Sequence, residues 1–205
     1  MKKIIKYLFL LTGGSFILAS CNDFLDREPL DSVTPDNFFF TENDLAAYAV
    51  KHYNFTTHEG FNAGIWRNDN ATDNQAATDY DKKWIPGQWK VPEAYDNPAS
   101  NDPWYFSAIR EANYFLETVV PRFEKGEIEG SETNIKHYIG EMYFLRAKNY
   151  LSKLETFGDF PIIKNTLPDE SASLIQASKR EPRHKVARFI LEDLDLAIGL
   201  LTNTI

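Results

Sequence analysis

Residues 131–161, SETNIKHYIGEMYFLRAKNYLSKLETFGDFP, hold the longest uninterrupted helical pattern in the chain. Ser131 is placed to cap it, and the helix is predicted to run from about Glu132 to Thr156. Tyr138, Ile139, Met142, Leu145 and Asn149 mark one stripe, and Phe144, Ala147, Lys148 and Leu151 mark a neighbouring one. Two adjacent stripes predict contacts on both sides, as in stacked helix pairs. Gly158 stands where a left-handed residue ends a helix, and Phe160-Pro161-Ile162-Ile163 reads as an extended exit. Glu141 and Arg146 are charges inside this apolar pattern. Their expected role is a paired or solvent-facing charge that orients neighbouring helices.

Shorter helices flank the long one. Thr41 caps a helix from about Glu42 to Tyr53, with Asp44 three residues on to complete a capping box. Leu45, Tyr48, Ala49 and Tyr53 form its apolar face, and part of Phe38-Phe39-Phe40 is expected to pack on it as a lid. A second helix is predicted to begin at Asp102-Pro103, carry Tyr105, Ala108, Ile109, Ala112, Leu116 and Val119, and stop at Pro121. Trp104, at its start, is expected in the core. Residues 165–179 read as a loop. The last helix starts near Pro182 and is expected to bury Val186, Phe189, Ile190, Leu194, Ala197, Ile198 and Leu201. Glu192, Asp193 and Asp195 read as its solvated face.

The N-terminus carries a different kind of signal. Lys2, Lys3 and Lys6 precede an apolar run from Tyr7 to Leu18, which closes on Leu18-Ala19-Ser20-Cys21. A basic start, a short apolar stretch and small residues before a cut make a secretory signal, and the run is short of the ~20 residues a membrane span needs. Leu-Ala-Ser-Cys resembles the lipobox of bacterial lipoproteins, in which the Cys thiol takes a diacylglycerol. Residues 1–20 are therefore expected to be a lipoprotein signal peptide, and residues 21–40 a lipidated Cys21 followed by an extended tether. Cys21 is the only cysteine, so no internal disulfide can form and the core must hold the fold together.

Charge narrows the partners. The chain carries −8, and residues 1–20 contain three Lys and no acid, so from Cys21 onward it carries −11. That argues against a nucleic-acid partner, whose phosphates would repel it, and against docking on anionic lipid by charge. The expected membrane attachment is the lipid itself, at ~0.8 kcal/mol per buried methylene.

The stretch from Asn54 to Asn101 is dense in Gly, Pro, Asn, Asp and Thr, and reads as loops. It also holds three of the four Trp. Trp66, Tyr80, Trp84, Trp89 and Tyr95 are interleaved with acids and amides, among them Asp69 and Asp73. A sugar suits this mixture: its C–H face packs on a flat aromatic and its hydroxyls pair with carboxylates and amides. Trp66, Asp69, Asp73, Tyr80, Trp84 and Trp89 are the candidate ligand-binding residues; the competing expectation is that the Trp residues anchor loops to the core. Catalytic and metal signals are weak. His52, His58, His137 and His184 are scattered without a zinc spacing. Asp69-Asn70-Ala71-Thr72-Asp73 fails as a calcium loop, because Ala71 occupies a ligand position and no Gly follows for the turn. No catalytic residue, metal or cofactor is assigned.

Four segments together resemble a known family. They are Cys21-Asn22-Asp23-Phe24-Leu25-Asp26, Trp104-Tyr105-Phe106-Ser107-Ala108-Ile109-Arg110-Glu111-Ala112-Asn113, the run from Gly140-Glu141 through Phe144-Leu145-Arg146-Ala147 to Gly158-Asp159-Phe160-Pro161, and the helix from Arg188 to Leu201 with Asp193-Leu194 and Ala197. They resemble the SusD/RagB family of outer-membrane nutrient-binding lipoproteins. The resemblance implies a mostly α fold of tetratricopeptide-like stacked helix pairs, with long loops rich in Trp, Asn and Asp. Residues 41–205 would be the N-terminal helical portion of that fold, and the chain is expected to be a fragment or truncated frame of a longer member. The implied role is non-enzymatic: an oligosaccharide or other nutrient is held at the cell surface and passed to a SusC-like TonB-dependent transporter. The alternative is an envelope lipoprotein whose helical repeats bind another protein, with no small ligand.

Overall fold

The long helix around Gly140 is the axis of the fold. In a computed structural model the described residues are 38–53, 85–88, 90–92 and 103–202, all within the unit Pro35–Ile205. They form α1 (Glu42–Lys51), α2 (Ser107–Lys125), α3 (Glu132–Phe157), α4 (Ser171–Ala177) and α5 (Arg183–Leu200). Helix α3 packs on α1, α2 and α5. Contacts from Lys153–Pro103 through Arg146–Asn113 to Lys136–Phe123 run α2 antiparallel to α3. Tyr150–Phe189, Arg146–Asp193 and Gly140–Leu200 do the same for α5. Helix α1 runs alongside α3 in the same direction, from Glu42–Asn134 to Tyr53–Glu141.

The start of α1 matches its sequence signal. Asp44 N–H donates to Thr41 Oγ1 at 3.2 Å, and Thr41 N–H donates to Asp44 Oδ2 at 2.9 Å. The helix ends at Lys51, two residues before the expected Tyr53. Phe39 has no exposed surface and sits in a nest of rings, 5.1 Å from Tyr48 and 5.3 Å from Phe115 between centroids. Its φ of 70° lies in the left-handed region, which costs roughly 1–2 kcal/mol in a non-glycine residue. Neighbouring bonds hold it there: Arg122 Nη1 donates to Phe38 O at 2.6 Å, and Glu129 N–H donates to Phe40 O at 2.8 Å.

Several expectations need correction. Helix α2 begins at Ser107 rather than Pro103, and it passes through Pro121 to Lys125. Pro121 falls near the C-terminal end. There the packing of Val120 and Phe123 on the core and the left-handed Gly126 cap (φ 70°) outweigh its missing N–H. Residues 165–179 are not all loop, since they contain the short helix α4, which buries no side chain. The second stripe of α3 is mostly outside: Phe144, Lys148 and Leu151 are exposed, and only Ala147 is buried. On α5, Ile198 is 74 % exposed and Leu201 39 %, because α3 covers only the face carrying Val186, Phe189, Ile190 and Ala197. Ser131 sits at the N-cap of α3 without a side-chain bond; instead its N–H donates to Glu42 Oε2 at 2.7 Å and ties α1 to α3.

Asp193 corrects the expectation of a solvated acidic face. It is 1 % exposed, and Arg146 opposite it is 6 % exposed. Arg146 Nε and Nη2 donate to the two carboxylate oxygens, each at 2.7 Å. Glu192 and Asp195 remain on the exposed side. The expectation for Arg146 as a paired, orienting charge is met.

Candidate functional site

Polar groups buried between α2, α3 and α5 shape the ground on which a cavity rests. Arg146 Nη1 donates to Asn113 Oδ1 at 2.9 Å and to Lys164 O at 3.3 Å. Asn113, wholly buried on α2, donates its amide to Ile163 O at 2.8 Å and to Asn165 O at 3.4 Å. Tyr150 adds a two-way bond: its hydroxyl donates to Ile163 O at 3.1 Å and accepts from Ile163 N–H at 2.8 Å. Burial pushes the Tyr150 phenol up to about 12, against the opposing bond to Ile163 O and the nearby Arg146 charge. Among the described residues the segment after Pro161 has no sheet partner, so these side chains satisfy backbone groups that burial would otherwise leave unpaired. Glu117 anchors its far end, accepting from Thr166 N–H at 2.8 Å.

One face of this clamped segment, Pro161, Ile163, Asn165 and Leu167, walls a cavity of about 380 Å³. Trp104, Phe106, Arg110 and Asn113 form the side on and before α2, and Leu174 and Ser178 close it from α4. Trp104 joins the core only in part. Its ring lies 4.1 Å from Phe157 and 5.7 Å from Phe160, and Phe106 stacks on Phe160 at 5.3 Å. Trp104 Nε1 donates to Pro92 O at 2.8 Å, so the cavity borders the end of the Trp-bearing loop. Arg180 lies over the Trp104 ring, with Cζ 4.9 Å from its centroid. The lining is mostly carbon. Asn113 has its amide committed to the backbone beneath, which leaves Arg110, Asn165 and Ser178 as the exposed polar residues of the lining, with the Ser178 hydroxyl donating to Ile175 O at 2.7 Å.

None of the ligand-binding residues singled out from sequence is among the described residues: Trp66, Asp69, Asp73, Tyr80, Trp84 and Trp89 lie outside them, as does Cys21. The cavity residues were missed, although the sequence holds one signal for the network beneath them. Asn113 follows Ile109 and Ala112, Arg146 lies between Met142 and Tyr150, and Asp193 lies between Ile190 and Ala197. Each polar residue stands on an apolar stripe at helical spacing, which marks a buried and therefore partnered group. Among the described residues no cluster of three His, Cys, Asp or Glu could hold a metal, and no helix is long and apolar enough to cross a membrane.

A second polar cluster ties α1 to α2 and α3. His52 Nδ1 lies 3.3 Å from Glu111 Oε2, and burial lowers the proton affinity of this ring while the Glu111 charge opposes the shift. His137 Nε2 lies 3.1 Å from Glu141 Oε1, and Tyr53 donates to Glu141 Oε2 at 2.6 Å. Burial and the Glu141 carboxylate raise the Tyr53 phenol well above its ordinary value. Most of these groups are spent on one another; among the described residues the buried His52 Nε2 has no hydrogen-bond partner.

Comparison with known proteins places the chain. A family sequence model described as "Starch-binding associating with outer membrane", of SusD-like type, matches residues 23–205. SusD-like protein P2 of Formosa agariphila is 26 % identical over 193 residues, which cover 91 % of this chain and 36 % of the relative. SusD-like protein P38 of the same organism is 28 % identical over 203 residues, covering 97 % and 37 %. The chain thus spans a little over a third of the length of these curated relatives. The crystal structure of a SusD-like protein from Bacteroides fragilis superposes with a TM-score of 0.56 at 23 % identity, over 87 % of this chain and 33 % of that one. That likeness concerns the fold.

Proposed function

The chain belongs to the SusD-like family, and from that membership we propose that it holds a glycan or similar nutrient at the outer membrane and passes it to a SusC-like TonB-dependent transporter. The observation that carries this is the family match across residues 23–205. The Trp-, Asn- and Asp-rich stretch supports a glycan as the ligand, since Trp66, Tyr80, Trp84 and Trp89 supply flat apolar faces and Asp69 and Asp73 supply acceptors. The antiparallel pairing of α2 with α3 and of α3 with α5 supports tetratricopeptide-like stacking. The role is binding without catalysis. Residues 1–20 act as a signal peptide, and Cys21 carries the lipid that attaches the protein to the membrane; the tether expected over residues 21–40 stops short of Phe38–Phe40, because Phe39 is fully buried in the core.

A glycan panel titrated against the protein, followed by Trp fluorescence and calorimetry, tests the ligand. Binding that is lost in Trp84→Ala or Trp89→Ala supports the proposal, and no response to any glycan refutes it. Co-purification of a TonB-dependent transporter from native membranes tests the partner. Metabolic labelling with a fatty acid tests the anchor: label retained in Cys21→Ser would sink it. A scaffold reading without small ligand draws on the exposed apolar side chains of α5, Leu191, Leu196 and Ile198. It predicts a captured envelope protein together with silence across the whole glycan panel.

A further inference from the structure

The cavity at Trp104 has a chemistry of its own. Its walls are aromatic and aliphatic, from Trp104 and Phe106 across to Ile163, Leu167 and Leu174. A sugar is met by several hydrogen-bonding groups converging on it; this lining offers few. Yet the charge at the site is positive in a chain of net charge −8. Arg110 is part of the lining, and Arg180 rests on the Trp104 ring. Four other cations of the described residues are paired with a carboxylate: Lys51 with Glu111, Lys136 with Glu132, Lys164 with Glu192 and Lys185 with Glu181. Among the described residues neither Arg110 nor Arg180 has a carboxylate partner.

We propose that this cavity binds an amphipathic organic anion: an apolar body fills the carbon-lined space, and a carboxylate meets the guanidinium of Arg110, with Arg180 beside it at Trp104. The volume of about 380 Å³ suits a small aromatic or aliphatic acid. The apolar wall removes water from one side of the ion pair, which strengthens a guanidinium–carboxylate contact relative to bulk solvent. The wall is also prearranged. The segment carrying Ile163 and Asn165 is fixed from below by Asn113, Arg146 and Tyr150, so little ordering is left for the ligand to impose. The proposal does not depend on the glycan reading, because it concerns a different chemistry at a different set of residues.

Calorimetric titration of the full chain carrying Cys21→Ser decides it. The probes are 4-phenylbutyrate, its neutral amide, acetate and maltohexaose. The expected result is saturable binding of 4-phenylbutyrate, about tenfold weaker binding of the amide, and none of acetate. Arg110→Gln with Arg180→Gln removes the preference for the acid while leaving the amide unchanged. Leu174→Glu, at a half-exposed position on α4, places a like charge on the lining and abolishes binding of the acid without touching the core. Equal affinity for acid and amide overturns the proposal. So does binding that ignores all three substitutions, because the probe then sits elsewhere. Binding of maltohexaose alone, with the same dependence on Arg110, also overturns it and leaves the glycan proposal standing. Silence toward every probe overturns the proposal and leaves the glycan reading to its own panel.

Discussion

Replacing Asp193 by Asn changes one charge and almost no volume, in the most consequential contact of the fold. Arg146 meets both Asp193 oxygens at 2.7 Å, and neither residue is more than 6 % exposed. In Asp193→Asn the guanidinium stays buried with no anion, and one of its two acceptors becomes a donor. Breaking a buried pair from one side costs about 3–5 kcal/mol. A domain of this kind has a total stability of roughly 5–15 kcal/mol, so the variant stands near the edge of folding. Arg146→Met costs a similar amount, since it strands the carboxylate. The double variant Arg146→Met/Asp193→Leu carries neither charge. It leaves one buried acceptor, Asn113 Oδ1, at ~1–3 kcal/mol, because Lys164 is exposed and water can serve its carbonyl. The double variant is therefore more stable than either single one, with a coupling energy of about 3 kcal/mol or more. Equilibrium urea denaturation followed by far-UV circular dichroism measures all four proteins. Single losses below ~1 kcal/mol, or a double loss equal to the sum of the singles, would refute the assignment of this pair as the organising contact.

Other perturbations read other parts of the structure. Tyr150→Phe removes the hydroxyl that serves both Ile163 N–H and Ile163 O, and is expected to cost about 1–3 kcal/mol and to speed amide exchange at Ile163. Gly140→Val is expected to cost about 2–3 kcal/mol in urea melts, since even a Cβ there would lie 3.0 Å from Leu200 Cβ and 3.2 Å from Ala197 O. Gly199→Ala, which meets nothing within 4 Å, is expected to be neutral or stabilising by up to ~1 kcal/mol. His52 gives a pH signature. Burial lowers its folded proton affinity below the ordinary value of 6.5, so the unfolded chain takes up the proton first and stability falls as pH drops through 6.5. In His52→Phe the aromatic contact with Tyr48 remains and this slope disappears, measurable as the urea midpoint at about pH 7.5 and about pH 5.5.

The sequence by itself determined four of the five described helices, missing only the short α4, and the family to which the chain belongs. The capping box at Thr41, the stripes of α1, α2 and α3, and Gly158 at the end of α3 are local signals, and each depends on residues within a turn or two of one another. It was silent or misleading wherever the deciding partner lies far along the chain. Pro121 looks like a stop, yet it is carried within α2 by the packing of Val120 and Phe123. Asp193 looks solvated beside Glu192 and Asp195, yet its partner is Arg146 on α3, 47 residues away. Ile198 looks buried by periodicity, yet α3 reaches only one face of α5. The cavity at Trp104 has no motif at all. Its walls come from α2, the exit after Pro161 and α4, and they meet because Asn113, Arg146 and Tyr150 hydrogen-bond an extended segment that has no strand partner among the described residues. Helix formation is a local property of the backbone; burial, ion pairing and cavity shape depend on which surfaces meet, and only the tertiary structure decides that.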